Sequence, residues 1–164
     1  MLRTRQLIPP LSIRTPEGRT VHTWDFKQKK NLLIAFLDVD CARCEDFLHG
    51  LAGRAIELRE KESVALIVYL APPPSALADF LPKEIISGCD VPGHSARAYL
   101  GDDAFSARGL VRRSVFVADR YGELFAQWPL AAHQFPALEE IFSALDQIQM
   151  ACEECTTPSW PAEA

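Results

Sequence analysis

What the chain lacks narrows its chemistry first. No apolar run approaches the length of a membrane span; the longest, Leu32–Leu37 and Val64–Ala71, are strand-sized. The N-terminus carries Arg3 and Arg5 but no apolar stretch of signal-peptide length, so the chain is expected in the cytoplasm, where thiols stay reduced. There is no glycine-rich phosphate loop, no Ser-His-Asp pattern and no paired-carboxylate motif, and His22, His49, His94 and His133 share no metal-ligand spacing. No basic residue follows Arg120: residues 121–164 hold seven acids, against seven Lys/Arg and two Asp/Glu in residues 1–30. A formal net charge of −5 over 164 residues has the wrong sign for a general nucleic-acid binder. The acidic end reads as a solvated surface, or as a tail that repels some partners and recruits a basic one.

What remains is ordinary globular composition, 48% hydrophobic and 24% charged, in a length that suits one domain. The cysteines stand apart from it. Four of the five fall into two C-x-x-C pairs, Cys41-Ala-Arg-Cys44 and Cys152-Glu-Glu-Cys155. In a reducing compartment such pairs point to redox or metal chemistry rather than to structural disulfides. The fifth, Cys89, follows Gly88 and reads as a small buried residue.

The surrounding pattern gives the first pair its context. Val21-His-Thr-Trp24 alternates as a small hairpin would, after the turn signal Thr15-Pro-Glu-Gly18. Asn31–Leu37 is a continuous apolar run, the pattern of a strand buried on both faces. Asp38, Val39, Asp40 and Cys41 follow at once. Cys44, Phe47, Leu48, Leu51, Ala55 and Leu58 then recur at three- and four-residue steps, which predicts a helix. Ser63–Tyr69 is a second buried strand, and Ala76–Leu81 a short helix that Ser75 can cap and Pro82 ends. Residues 83–111 give no clear pattern. Ser114–Ala118 and Glu123–Trp128 flank the turn Asp119-Arg-Tyr-Gly122 as an antiparallel hairpin. A last helix opening near Pro136 carries the stripe Leu138, Ile141, Phe142, Leu145 and Ile148, extending toward Cys152. The first two long strands should be parallel, joined by a right-handed crossover.

A C-x-x-C at the junction of a buried strand and a helix, within this order, resembles the thioredoxin fold. That fold is an α/β three-layer sandwich with a central mixed sheet flanked by helices, here with an N-terminal β-hairpin extension. The nearer resemblance is to the redoxin branch, the peroxiredoxin and alkyl-hydroperoxide-reductase-like proteins. Pro10–Ile13 with Glu17, Gly18 and Val21 looks like that branch's opening hairpin, and Asn31–Leu37 plus Cys41 like its central strand and nucleophile. Arg113–Asp119 with Gly122–Leu124 is similar to its penultimate hairpin. The resemblance covers residues 7–150. One domain over 1–150 is therefore expected, with 151–164 an acidic, cysteine-containing flexible tail. The resemblance implies Cys41 as nucleophile and Arg113 as a site-lining cation. The chain departs from peroxiredoxins where their Pro-x-x-x-Thr-x-x-Cys becomes Ile34, Asp38 and Cys41, losing groups that shape the pocket and hydrogen-bond a peroxide. It departs from thioredoxins in carrying Asp40 where they have a tryptophan, and Arg113 or Ser114 in place of their cis-proline.

At a strand-to-helix junction, unpaired N–H groups and the helix dipole favour an anion, which stabilises a Cys41 thiolate. Cys44 lies one turn in, on the apolar stripe, and should be more buried. This asymmetry provides one attacking and one resolving thiol. Arg43 favours the thiolate; Asp38, Asp40, Glu45 and Asp46 oppose it, with 38 and 40 expected on one strand face. Three readings stay open. The first is a dithiol that exchanges electrons with a disulfide, needs no organic cofactor and is recharged by a thiol reductant. The second is a peroxide reductase with Cys41 peroxidatic. The third is a non-enzymatic module of the same fold that binds a protein partner, or a metal through its thiols. The substrate would be a protein or small-molecule disulfide, or a peroxide, with no nucleic acid and no membrane. In a thioredoxin-like fold the end of the last helix lies across the sheet from the first pair. Cys152 and Cys155 would then act in trans within a homodimer, form half of a thiolate metal site, or have no role.

Overall fold

A computed structural model describes residues 2–73, 75–90, 92–106, 109–110, 113–130 and 134–151. The strands are Ser12–Arg14 (β1), Thr20–His22 (β2), Asn31–Phe36 (β3), Ser63–Tyr69 (β4), Ile85–Cys89 (β5), Phe105–Ser106 (β6), Gly109–Leu110 (β7), Arg113–Ala118 (β8) and Leu124–Leu130 (β9). The α-helices are Ala42–Ala52 (α1), Ala55–Glu60 (α2), Ser75–Phe80 (α3), His94–Leu100 (α4) and Leu138–Met150 (α5). Seven strands form one sheet in the order β2-β1-β5-β4-β3-β8-β9. β3, β4 and β5 run parallel, β8 is antiparallel to β3, and β9 is antiparallel to β8 and so runs in the direction of β3. The mixed sheet with helices on both faces is the expected three-layer α/β arrangement. Among the described residues no helix is long and apolar enough to cross a membrane.

Side chains alternate across a strand, so a strand covered on both faces is apolar along its length. β3 meets this condition from Leu32 onward; its first residue, the buried Asn31, is satisfied by hydrogen bonds to the Lys61 carbonyl and from the Arg120 N–H. Leu33, Ala35 and Leu37 enter one core with Cys44, Phe47, Leu48 and Leu51 of α1 and with Ile141, Phe142 and Leu145 of α5. Leu32, Ile34 and Phe36 enter the opposite core with Tyr99 and Leu100 of α4 and with Ile8, Leu11 and Ile13 of the N-terminal segment. Each fully buried aliphatic side chain of this kind contributes about 1.5–3 kcal/mol.

Three details differ from the sequence reading. The helical pattern from Cys44 to Leu58 is two helices, because the chain breaks at Gly53 and Arg54. Both pieces keep their apolar side on the same core, which is why the spacing alone does not reveal the break. The unreadable stretch holds a fifth strand and a helix, β5 and α4. Finally, the hairpin β1–β2 joins the main sheet, β1 pairing with the outer side of β5. That contact is close: a Cβ at Gly88 would lie 2.9 Å from the Arg14 carbonyl oxygen and 3.0 Å from Ile13 Cβ.

Candidate functional site

The sheet delivers the first C-x-x-C to its end. Leu37 is still tied to β4, its N–H donating to the Val68 carbonyl at 3.0 Å, and the chain then leaves the sheet. Residues 38–40 are loop, so the strand face expected to carry Asp38 and Asp40 together does not exist; Asp38 is half-buried and Asp40 exposed. Cys41 is the N-cap of α1, with extended backbone (φ −140°, ψ 103°). Its Sγ accepts the N–H of Cys44 at 3.2 Å. The sulfur thus fills the place that a serine or aspartate oxygen takes at most helix starts, where the dipole also favours negative charge.

Cys44 sits one turn behind and is 2% exposed. Both cysteines are free thiols, Cys41 half-buried and Cys44 buried. Burial, a hydrogen bond to Cys41 and the charge of Cys41 push the Cys44 thiol up to about 12. The Asp38 backbone and the Arg113 guanidinium act in the other direction. The pair is therefore asymmetric in the way the sequence implies: one sulfur reachable and hydrogen-bonded as an acceptor, its mate enclosed and holding a proton.

Arg113 opens β8, whose register against β3 pairs Ser114 with Phe36. This register sets Arg113 just past the end of β3, where the loop begins. Arg113 Nη2 lies 2.5 Å from Asp38 Oδ2. Burial works against its charge, but Asp38 and the two thiols outweigh that and hold the guanidinium above its ordinary range. The structure therefore brings Cys41, Cys44 and Arg113 together. It pairs Asp38, expected only as a charge opposing the thiolate, with Arg113, and adds a participant the sequence reading does not name, Tyr69 at the end of β4. Burial, together with the neighbouring Cys44, Glu45 and Cys41, pushes the Tyr69 hydroxyl above its ordinary range. The apolar run of β4 conceals Tyr69, since a buried tyrosine fits it as well as a phenylalanine would.

Other expected features fall elsewhere. Arg43, Glu45 and Asp46 are exposed, where water screens them. Arg43, Asp46 and Phe47 instead border an open groove of about 730 Å³ that Phe135 and Leu138 also line. Phe47 and Phe135 stack there with ring centroids 4.7 Å apart. His49 stacks on Phe80, and His22 Nδ1 lies 2.6 Å from Ser12 Oγ. Cys89 is buried at the end of β5, as read. No cis peptide occurs among the described residues, and no group of three or more His, Cys, Asp and Glu among them could hold a metal ion. Cys152 and Cys155 lie outside the described residues, but α5, which leads to them, packs in the same core as α1, so the last helix covers the same face of the sheet as the first pair rather than lying across it.

No family model and no curated protein matches the chain. Solved structures do. Peroxidoxin BcpB of Mycobacterium tuberculosis superposes with a TM-score of 0.76 at 13% identity, covering 90% of this chain and 99% of that one. AhpC of the same organism gives 0.72 at 14% identity, over 94% and 98%. A Chlorobium tepidum protein assigned as the thiol:disulfide interchange protein DsbE gives 0.65 at 19% identity, over 88% and 99%. At these identities the likeness speaks for architecture alone: the chain has a thioredoxin-like fold similar to that of these peroxiredoxin and thiol:disulfide interchange structures.

Proposed function

We propose that this chain is a thiol–disulfide oxidoreductase in which Cys41 attacks and Cys44 resolves. The observation that carries the reading is the pair itself: Cys41 Sγ accepts an N–H at the mouth of α1, and a second thiol is enclosed one turn behind it. Cys41 thiolate attacks one sulfur of a substrate disulfide, the substrate S–S bond breaks, and its electron pair leaves on the other sulfur. Cys44, once deprotonated, attacks Cys41 Sγ, forms the Cys41–Cys44 disulfide and expels the second substrate thiolate. Two electrons have then passed to the substrate, and an external thiol reductant restores the dithiol. No organic cofactor is required, because the two sulfurs hold both electrons.

The site also enforces an order. While Cys41 is free, its hydrogen bond and charge help to keep Cys44 protonated. Once Cys41 is capped as a mixed disulfide, both influences vanish, whereas the Asp38 backbone and Arg113 remain. The resolving thiol is thereby released when it is needed. The groove beside Arg43 and Phe47 opens near the first turn of α1 and is the natural resting place for the substrate chain. Residues 1–150 form the working domain in this reading. Cys152 and Cys155 in 151–164 serve as a relay dithiol from a second copy or as half of a metal site.

A second reading, peroxide reduction at Cys41, is favoured by a cation, Arg113, at the end of β3 beside the loop that leads to Cys41, and by structural neighbours that are themselves peroxiredoxins. Insulin reduction by dithiothreitol, run beside peroxide consumption, decides between them. The disulfide reading expects catalysed insulin reduction that Cys41→Ser abolishes. Peroxide consumption without insulin reduction supports the second reading, and silence in both overturns enzymatic exchange.

A further inference from the structure

The two reactions open to Cys41 begin from the same thiolate and differ in what leaves. With a disulfide R–S–S–R′, the Cys41–S–S–R bond forms and the electron pair departs on R′S⁻. Charge is spread over three large sulfurs in line, and the thiolate leaves without needing a proton. With a hydroperoxide ROOH, Cys41 Sγ takes the OH, the O–O bond breaks and the pair departs on RO⁻. That alkoxide takes a proton from solvent to give ROH, and Cys44 then expels water from Cys41–SOH to form the same Cys41–Cys44 disulfide. Localised charge on a small oxygen requires a donor or a cation at the moment it forms.

We propose that Asp38 is the residue that selects disulfides over hydroperoxides at this site, by engaging Arg113 in an ion pair. The proposal rests on the disulfide-exchange reading above. Arg113 neighbours the thiol pair, and its Nη2 is drawn 2.5 Å from Asp38 Oδ2. An ionised carboxylate accepts hydrogen bonds and cannot donate one to a departing oxygen. Arg113 and Asp38 are both only partly exposed, 16% and 29% for their side chains, so water screens their pairing less than it screens the exposed Asp40, Glu45 and Asp46. Tyr69 is enclosed at 4% exposure and belongs to the core around Cys44 rather than to the open side of Cys41. The ion pair thus cancels the charge that peroxide cleavage would use, while a thiolate leaving group needs little of it.

The test uses the reduced full-length chain mixed rapidly with an aromatic disulfide, and separately with hydrogen peroxide or cumene hydroperoxide. Each rate constant is taken as the part that Cys41→Ser removes. Asp38→Asn preserves shape and deletes charge; Asp38→Ser deletes charge and offers a hydroxyl. Either is expected to raise the ratio of peroxide to disulfide rate constants about tenfold, below the effect of a fully desolvated oxyanion donor. A variant that merely loosens the loop moves both constants together and leaves the ratio where it was. An unchanged or lower ratio in both variants overturns the proposal. A wild type with no Cys41-dependent disulfide reaction overturns instead the functional reading on which it stands.

Discussion

Replacing Cys44 by alanine should halt exchange after the first of its two steps. A thiol that ionises at about 12 is thiolate in about one molecule in 10⁵ at pH 7, against about one in 10² at the ordinary 9.0. Resolution from that starting point would be slow. Capping Cys41 removes its hydrogen bond and its charge, two of the three causes that hold the proton, leaving burial opposed by the Asp38 backbone and Arg113. The resolving step should therefore be first-order in protein and should accelerate about tenfold per pH unit from about pH 6 to about pH 9, as one proton is lost. An aromatic disulfide with a coloured leaving thiolate reports both steps: one equivalent is released on attack, a second on resolution. In a Cys152→Ser/Cys155→Ser background, the parent is expected to release two equivalents and Cys44→Ala one. A second equivalent at an undiminished rate in Cys44→Ala, or a resolving step indifferent to pH, would refute the reasoning.

The remaining expectations concern the frame around the thiols. Gly88→Ala places a Cβ 2.9 Å from the Arg14 carbonyl oxygen, so β1 must retreat from β5 at a cost of about 1–3 kcal/mol, read as a fall in denaturant midpoint. Tyr99→Phe removes the hydroxyl that donates to the Pro9 carbonyl at 2.7 Å and should lower stability by about 1 kcal/mol; no change would mean that water replaces that bond. Alkaline pH should destabilise the reduced protein through Cys44. Folded, it keeps its proton up to about 12; unfolded, only to 9.0. Between these values the unfolded chain binds fewer protons, so stability falls as pH rises. Under reducing conditions the parent's midpoint should drop more steeply through this window than that of Cys44→Ala.

The parts of this fold that can be read from sequence are those in which every residue obeys one demand. After their first residues, Asn31 and Ser63, β3 and β4 are apolar at every turn of the pleat because both faces are covered, and only residues 38–40 separate Leu37 from the first C-x-x-C. β5 escaped because two demands compete there. Its outer neighbour β1 comes so close that Gly88 must lack a side chain, and Ser87 and Gly88 break the apolar run. α4 escaped because its start is marked from a distance: Gly93 turns the chain at φ +67°, and the Asp90 carboxylate accepts the Ala96 N–H at 2.8 Å from six residues away. The site divides the same way. Cys41 and Cys44 are local and legible. The Asp38–Arg113 pair depends on β8 lying antiparallel beside β3 in one register, which spacing along the chain does not encode.

The opening hairpin has a consequence for life in a crowded solution. β5 would otherwise present an unguarded margin of backbone donors and acceptors, a template onto which a stray strand could add. β1 takes that position, and its outer companion β2 is three residues long, too brief to offer a foothold. At the opposite margin, β9 carries Pro129, which withholds a donor from any newcomer. The sheet is thus stoppered at both ends, and the leading residues serve as a guard against fibrous growth as much as a contribution to the fold they border.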